Sequence, residues 1–390
     1  MSVNYDSRWM RLMALIVGGL LSLPWTATGG MIVHGVELLL ASSLLTYAFM
    51  PAVIRLAGTI GAVDMPDERR VHHQPTPRIG GLAVFLAVNI TLLLNFNYSV
   101  ELKAICISGA LVALVSLWDD VKSLPASFKL LVQIVAVAIL LRAGLLLEFD
   151  NHAWMIARLG GDLGISVDII LEYLLTALWI IGITNAFNFL DGINGLAAAL
   201  AATICLLMGM LAAATGQIFM LLLCVAVAGA ALGFLPDNAR YERPARSFLG
   251  DTGSTYLGWM MACIAVLGDW SDHSALQAYA APLLIFSVPI FDMIYTTVAR
   301  IARGDVQSLG EWIAYVGRDH LHHRLMYLGL SQAKTVLVIV AITLISGMAA
   351  LVIVDASTLS SWFLLMQVVV VYAVFSFIMV FAAKRVERSG

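Results

Sequence analysis

The sequence predicts an all-α, polytopic integral membrane protein, and three observations predict it. Of 390 residues, 61% are hydrophobic and only 12% charged, whereas soluble chains are roughly half apolar and a quarter charged. Apolar runs of about 15 to 25 residues, the length that crosses the hydrocarbon core of a bilayer, recur from end to end. The remaining charges gather in short segments between those runs. A net charge of −3 is too small to indicate a partner, and nucleic acid is not expected as one.

The first run, Arg11–Thr28, lies behind Arg8 and ahead of Met31–Arg55. With Pro24 and small residues following, it also has the outline of a signal peptide, but the cleavage pattern is poor and an uncleaved helix is the expectation. Further spans are expected at Gly80–Asn97, Leu102–Trp118, Ser127–Leu147, Ile170–Leu190, Gly195–Ala214, Gln217–Leu235, Ser254–Gly268, Ala278–Arg300, Lys334–Val354 and Ser361–Ala383. That makes 11 to 12 helices at roughly 20 residues each, in a single transmembrane domain over 1–390. With the N-terminus inside, all but three of the 22 Lys and Arg (Lys103, Arg142, Arg158) fall on or beside cytoplasmic segments, which sets the orientation. Those segments are 56–79, 119–126, 190–195, 236–253 and 301–333. Cys106, Cys205, Cys224 and Cys263 lie inside apolar runs without metal-ligand spacing, so neither a disulfide nor zinc is expected of them.

The chemistry-bearing residues all sit at the cytoplasmic ends of spans. Asp119 and Asp120 follow the run Leu111–Trp118 directly; alone they could be a solvated helix end, but their company argues otherwise. In "NAFNFLDGINGLA" the residues Asn185, Asn188, Asp191 and Asn194 recur every three positions, one ridge of a helix, before Gly192 and Gly195 break it. Leaving such groups unpaired in an apolar setting costs about 1–3 kcal/mol each, so they face a polar ligand or one another. "FLGDTGS" sets Asp251 at a glycine-led helix start, either as an ordinary N-cap or as a place where free N–H groups meet phosphate while a carboxylate holds Mg²⁺. "GRDHLHHRL" clusters Asp319, His320, His322 and His323 between Arg318 and Arg324, a set suited to phosphate; zinc competes, without thiolates or an HExxH-type set. The loop "GAVDMPDERRVHHQPTPRIGG" adds Asp64, Arg69, Arg70, His72, His73 and Arg78, a headgroup anchor or a phosphate-docking site. Mg²⁺ ligands and phosphate donors at a bilayer edge, without a Walker loop, suit phosphoryl transfer between a soluble donor and a lipid.

Five motifs, "DMPDERRVHHQPTPRIGG", "LWDD", "NAFNFLDGINGLA", "FLGDTGS" and "RDHLHHRLMYLGLS", stand in the order and spacing of the bacterial polyprenyl-phosphate N-acetylhexosamine-1-phosphate transferase family, glycosyltransferase 4 type. The resemblance runs from about residue 64 to 331 and leaves the N-terminal span 11–28 outside it. The form "DHLHHRL" resembles the branch that begins O-antigen, common-antigen or teichoic-acid linkage units on undecaprenyl phosphate. The sister branch, using a muramoyl-pentapeptide donor, ranks second.

The resemblance implies transfer of an N-acetylhexosamine 1-phosphate, by default that of GlcNAc, from a UDP-sugar to undecaprenyl phosphate with release of UMP. It further implies Mg²⁺ (with Mn²⁺ as a substitute), a bacterial inner-membrane location and contact with membrane lipids, and it is compatible with a homodimer. It assigns Asp251 to the metal, Asp119 to deprotonating or orienting the lipid phosphate, Asp120 and Asp191 to the catalytic acids, and Phe248 to stacking on uracil. Asn185, Asn188, Asn194, Arg70, His72, Arg318, His320, His322, His323 and Arg324 complete the substrate-binding set. "DGIN" departs from the family's usual second Asp, so Asn194 replaces a carboxylate, and "PDNARYERPARS" is atypical around Asn238, Arg243 and Arg246. A lipid or nucleotide-sugar transporter is the competing class; it predicts midplane charges and repeat symmetry, and neither is visible. A catalytically dead scaffold is the third reading, against which the retained acids argue.

Overall fold

The computed structural model describes residues 5–21, 30–65, 74–96, 99–147, 167–271, 274–315 and 317–387. Their helices are, in chain order, α1 (Tyr5–Leu21), α2 (Gly30–Ile60), α3 (Gly81–Asn95), α4 (Val100–Val121), α5 (Ala126–Arg142), α6 (Val167–Phe189), α7 (Leu196–Ala214) and α8 (Ile218–Asn238). They continue with α9 (Gly250–Leu267), α10 (Ala275–Ile285), α11 (Ser287–Arg303), α12 (Leu309–Ala314), α13 (Leu321–Tyr327), α14 (Gln332–Ile353) and α15 (Thr358–Glu387). Beside them, the loop after α2 forms a two-residue antiparallel pairing of β1 (Val63–Asp64) with β2 (Thr76–Pro77).

Among the described residues, seven helices (α2, α4, α6, α7, α8, α14 and α15) are long and apolar enough to span a bilayer. The expected spans at Arg11–Thr28, Gly80–Asn97 and Ser127–Leu147 are shorter helices of 17, 15 and 17 residues, and that at Ser254–Gly268 is an 18-residue helix with a polar first turn. The chain is a multi-pass, all-α membrane protein. Expectation and structure differ again at Ala278–Arg300, where α10 and α11 meet at a 76° bend. Pro289 cannot donate to the carbonyl one turn back, so the helix cannot run straight through.

Packing follows the small residues. Gly229 and Gly233, one turn apart on α8, press on α2: a Cβ there would lie 2.2 Å from the Leu39 carbonyl oxygen and 2.1 Å from that of Ser43. Small residues at this spacing let two backbones touch, the main source of helix association in lipid. Several polar groups inside the bundle are paired, as an environment without water favours. Asn89 Nδ2 donates to the Tyr256 hydroxyl at 2.9 Å and Trp259 Nε1 to Ser108 Oγ at 3.1 Å. Helix α9 is buried all round from Thr252 to Val266, with α3, α4, α6, α7 and α8 about it, while α15 leaves most of its side chains between 358 and 380 exposed. The central helix therefore delivers its first turn, with Asp251, into the middle of the bundle's end.

Gly233→Val should drive a side chain into the α2 backbone and cost about 1–3 kcal/mol, the usual penalty of overpacking. The loss would be read as a lower thermal midpoint of the detergent-solubilised protein.

Candidate active site

Asp119 and Asp120 end α4 but do different work. Asp120 is buried and accepts four hydrogen bonds: from the backbone N–H of Asp251 (3.0 Å) and of Thr252 (2.9 Å), from Thr252 Oγ1 (2.6 Å) and from Arg78 Nε (3.3 Å). The N-cap position of α9, Leu249, has no side-chain cap of its own, so Asp120 satisfies from another helix the donors that a helix start leaves free. Of the two readings of this helix start, capping holds for these groups: two of the N–H donors are already held by a carboxylate.

Asp119 turns the other way. Its Oδ1 accepts from the Leu124 N–H at 2.6 Å and its Oδ2 from Lys129 Nζ at 3.0 Å. The same ammonium lies 2.8 Å from Asp251 Oδ2, so two carboxylates from α4 and α9 converge on one cation from α5. Lys129 was not anticipated, although a lysine inside an apolar run demands a counter-charge, and Gln133 one turn on marks the same stripe.

The asparagine ridge divides. Asn185 exchanges hydrogen bonds with Gln133, at 2.7 and 3.4 Å, a polar zipper between α5 and α6. Asn188 donates to Ser254 Oγ at 2.8 Å and to Asp251 Oδ1 at 3.3 Å, which aims the Asp251 carboxylate. Asn185, Gln133, Asn188, Lys129 and Asp251 line a cleft together with Val112, Val115 and Val132. Asp191 and Asn194 follow in the turn beyond α6, both half-buried. Burial first, then the nearby charges of Asp251 and Asp120, push the Asp191 carboxyl up to about 8.

The histidines are organised by α11, whose pattern is inverted for a membrane. Ile294, Val298 and Ile301 point outward, while Asp292, Thr296 and Arg300, each four residues apart, point into the protein. Asp292 binds His320 Nδ1 at 2.7 Å and the Leu321 N–H at 2.6 Å. A carboxylate only accepts, so Nδ1 carries the proton, and Nε2 faces Arg300 Nη2 at 3.4 Å. Arg300 also grips Asp319 in a fork at 2.9 and 2.7 Å, and Arg303 adds a third contact at 3.1 Å. Arg324 donates to the Asp319 carbonyl and lies over Tyr295, while Arg318 is exposed. Thus His320, which also stacks on Phe189, and Arg324 are occupied within the protein. Asp292 and Arg300 went unread in the sequence, where they look like ordinary residues of an expected span.

His322 differs: it is 1% exposed, and among the described residues neither ring nitrogen has a hydrogen-bond partner. Its ring edge fills the space over Gly192, where a Cβ would stand 2.1 Å from Nε2, so the glycine of "DGIN" is the one residue type that admits it. His323 packs on His322 at 4.2 Å; burial, then the charges of His320 and Arg318, hold its imidazole down at about 4. Phe248 is fixed by its backbone, donating to the Pro77 carbonyl (2.7 Å) and accepting from the Gly80 N–H (2.9 Å). Arg70 and His72 lie outside the described residues.

Segments of α4, α5, α6, α9 and α13 thus meet at one end of the bundle around the acids and histidines. The family model Glycosyl transferase family 4 matches residues 102–269, the stretch from α4 to the end of α9. The chain is 34% identical over 330 residues to a probable undecaprenyl-phosphate N-acetylglucosaminyl 1-phosphate transferase of Bacillus subtilis, covering 84% of this chain and 87% of the relative. It is 32% identical to a decaprenyl-phosphate N-acetylglucosaminephosphotransferase of Mycobacterium tuberculosis, over 83% of each chain. It is 27% identical to an undecaprenyl-phosphate alpha-N-acetylglucosaminyl 1-phosphate transferase of Yersinia pestis, over 79% and 80%. The chain belongs to glycosyl transferase family 4, and the resemblance drawn from the motifs holds over most of its length.

Two stability tests follow from this geometry. Asp120→Asn keeps one acceptor oxygen but strands donors at the start of α9, and should cost about 1–3 kcal/mol, read as a lower thermal midpoint. Asp191 has a raised folded pKa, so between roughly pH 4 and 8 the unfolded chain gives up its proton first and stability falls as pH rises. In Mg²⁺-free buffer, Asp191→Asn should flatten that fall in melting temperature.

Proposed function

We propose that this chain transfers N-acetylglucosamine 1-phosphate from UDP-GlcNAc to undecaprenyl phosphate, at the cytoplasmic face of a bacterial inner membrane. The observation that carries the reading is the convergence of Asp119 and Asp251 on Lys129, beside a cleft lined by both polar and apolar side chains. The polar lining suits phosphates and the valines suit the first carbons of a prenyl chain. In the reaction, an oxygen of the lipid phosphate attacks the β-phosphorus of the donor, the bridging O–Pβ bond breaks, and UMP leaves with the bridging oxygen.

Mg²⁺ fits the donor set. Among the described residues no three side chains form a metal cage, but Mg²⁺ is commonly held by one or two carboxylates together with substrate phosphates. Asp251, whose carboxylate already draws a cation, would hold it, and bound there it would neutralise charge on the transferred phosphoryl group. Asp119 orients the lipid phosphate and takes its proton. Lys129 offsets the charge of the two acids and draws the acceptor phosphate to the cleft. Asp120 and Asn188 act as positioning residues, one for the first turn of α9 and one for the Asp251 carboxylate.

On the donor side, Phe248 stacks on uracil, and His322 offers its ring nitrogens to the diphosphate, with His320 locked behind it by Asp292. Asp191 and Asn194 line the turn against which His322 packs, and Arg318, exposed at the rim, meets the incoming nucleotide. Lys and Arg placement supports the cytoplasmic orientation. The muramoyl-pentapeptide donor and the transporter reading are both less favoured, since the relatives' names speak of N-acetylglucosamine transfer.

The test is release of UMP by purified protein given undecaprenyl phosphate, Mg²⁺ and, in turn, UDP-GlcNAc, UDP-GalNAc and UDP-muramoyl-pentapeptide. Release is expected with UDP-GlcNAc, dependent on lipid and metal, and lost by at least about 10²-fold in folded Asp251→Ala. Release with another donor alone would reassign the sugar, and near-normal turnover of Asp251→Ala would remove that residue from the metal.

A further inference from the structure

Helix α1 lies outside the residues matched by the family model, yet it sends one buried guanidinium toward the donor side. Arg11 is 8% exposed, and its Nη2 lies 2.8 and 3.1 Å from the two carboxylate oxygens of Asp237, at the end of α8. Its Nη1 donates at 2.9 Å to the carbonyl of Tyr47, over whose ring the guanidinium sits at 4.3 Å. Tyr47 stands four residues before Pro51, which has no N–H, so that carbonyl lacks its normal helical donor and Arg11 supplies one.

Asp237, wholly buried, is also the anchor of the loop that follows. It accepts from Arg246 Nη1 at 3.1 Å, and its carbonyl accepts from the Arg246 N–H at 2.7 Å. Its neighbour Asn238 accepts from the Gly195 N–H at 2.6 Å and donates to the Ser247 carbonyl at 2.9 Å, next to Phe248. The atypical loop is thereby tied at one end to the "DGIN" turn and at the other to the aromatic of the nucleotide side.

We propose that Arg11 is a positioning residue for the nucleotide half of the donor site, acting through Asp237 on the loop that carries Phe248. The inference rests on the function proposed above for the identity of the nucleotide. It is tested by calorimetric binding of UDP to the full chain in detergent, with thermal unfolding as control, for wild type, Arg11→Met and Arg11→Met/Asp237→Asn. The double variant leaves no buried carboxylate unpaired, and serves where the single one fails to fold.

Folded variants are expected to bind UDP about tenfold more weakly, because the loop is no longer preorganised. At saturating donor, kcat and the KM for undecaprenyl phosphate should stay within about twofold of wild type. Unchanged UDP affinity overturns the proposal, as does an equal weakening toward the lipid, which would mark a general structural role. A wild-type protein that binds UDP but releases no UMP would sink the proposed reaction and leave this comparison standing.

Discussion

A helix that begins inside a protein leaves N–H groups that must find acceptors, and in this chain they find Asp120. That bond set ties the end of α4 to the start of α9, and with Arg78 it adds the loop before α3. Because α9 is the central helix, the direction of its first turn sets where Asp251 points, hence where Lys129 and Asp119 can meet it. Desolvation makes the arrangement demanding: a buried carboxylate with fewer partners would be far from its lowest free energy. Four donors converging on one side chain resolve that demand and build the site together.

The same logic shapes the other wall. Helix α11 turns its apolar stripe outward and its polar stripe inward, so Asp292 and Arg300 reach the histidine segment while aliphatic side chains cover the lipid side. The 76° bend before it lets a span leave its course and run past the site. Asp292 fixes the His320 ring and Arg300 fixes Asp319, while both ring nitrogens of His322 stay uncommitted among the described residues. Supporting side chains hold the outer members of the cluster so that an inner one stays available.

Seven of the expected spans were legible because hydrophobic length is a local property, and Asp119, Asp251 and the asparagine ridge stood out as polar groups at apolar boundaries. The division of labour between Asp119 and Asp120 was not legible, since it depends on which helix start each carboxylate meets in three dimensions. Lys129 and Gln133 sat inside an apolar run and could have been flagged by their spacing, but their partners Asp251 and Asn185 are far away in sequence. Asn185 shows the reverse: its ridge suggested a ligand, while the structure pairs it with Gln133. The bend at Phe286 was not read from the sequence, although Pro282 and Pro289 stand on either side of it.

Pro51 turns an ordinary stretch of α2 into a socket. Once a proline removes one N–H, the carbonyl of Tyr47 becomes a fixed acceptor at depth, and the arginine that answers it brings a charge that the buried Asp237 must match. Positions 11, 51 and 237, which lie on three helices, are thereby bound into one hereditary unit. Drift at any one of them changes what the other two can tolerate, so the trio should be exchanged whole, or not at all, among chains that carry this extra N-terminal helix.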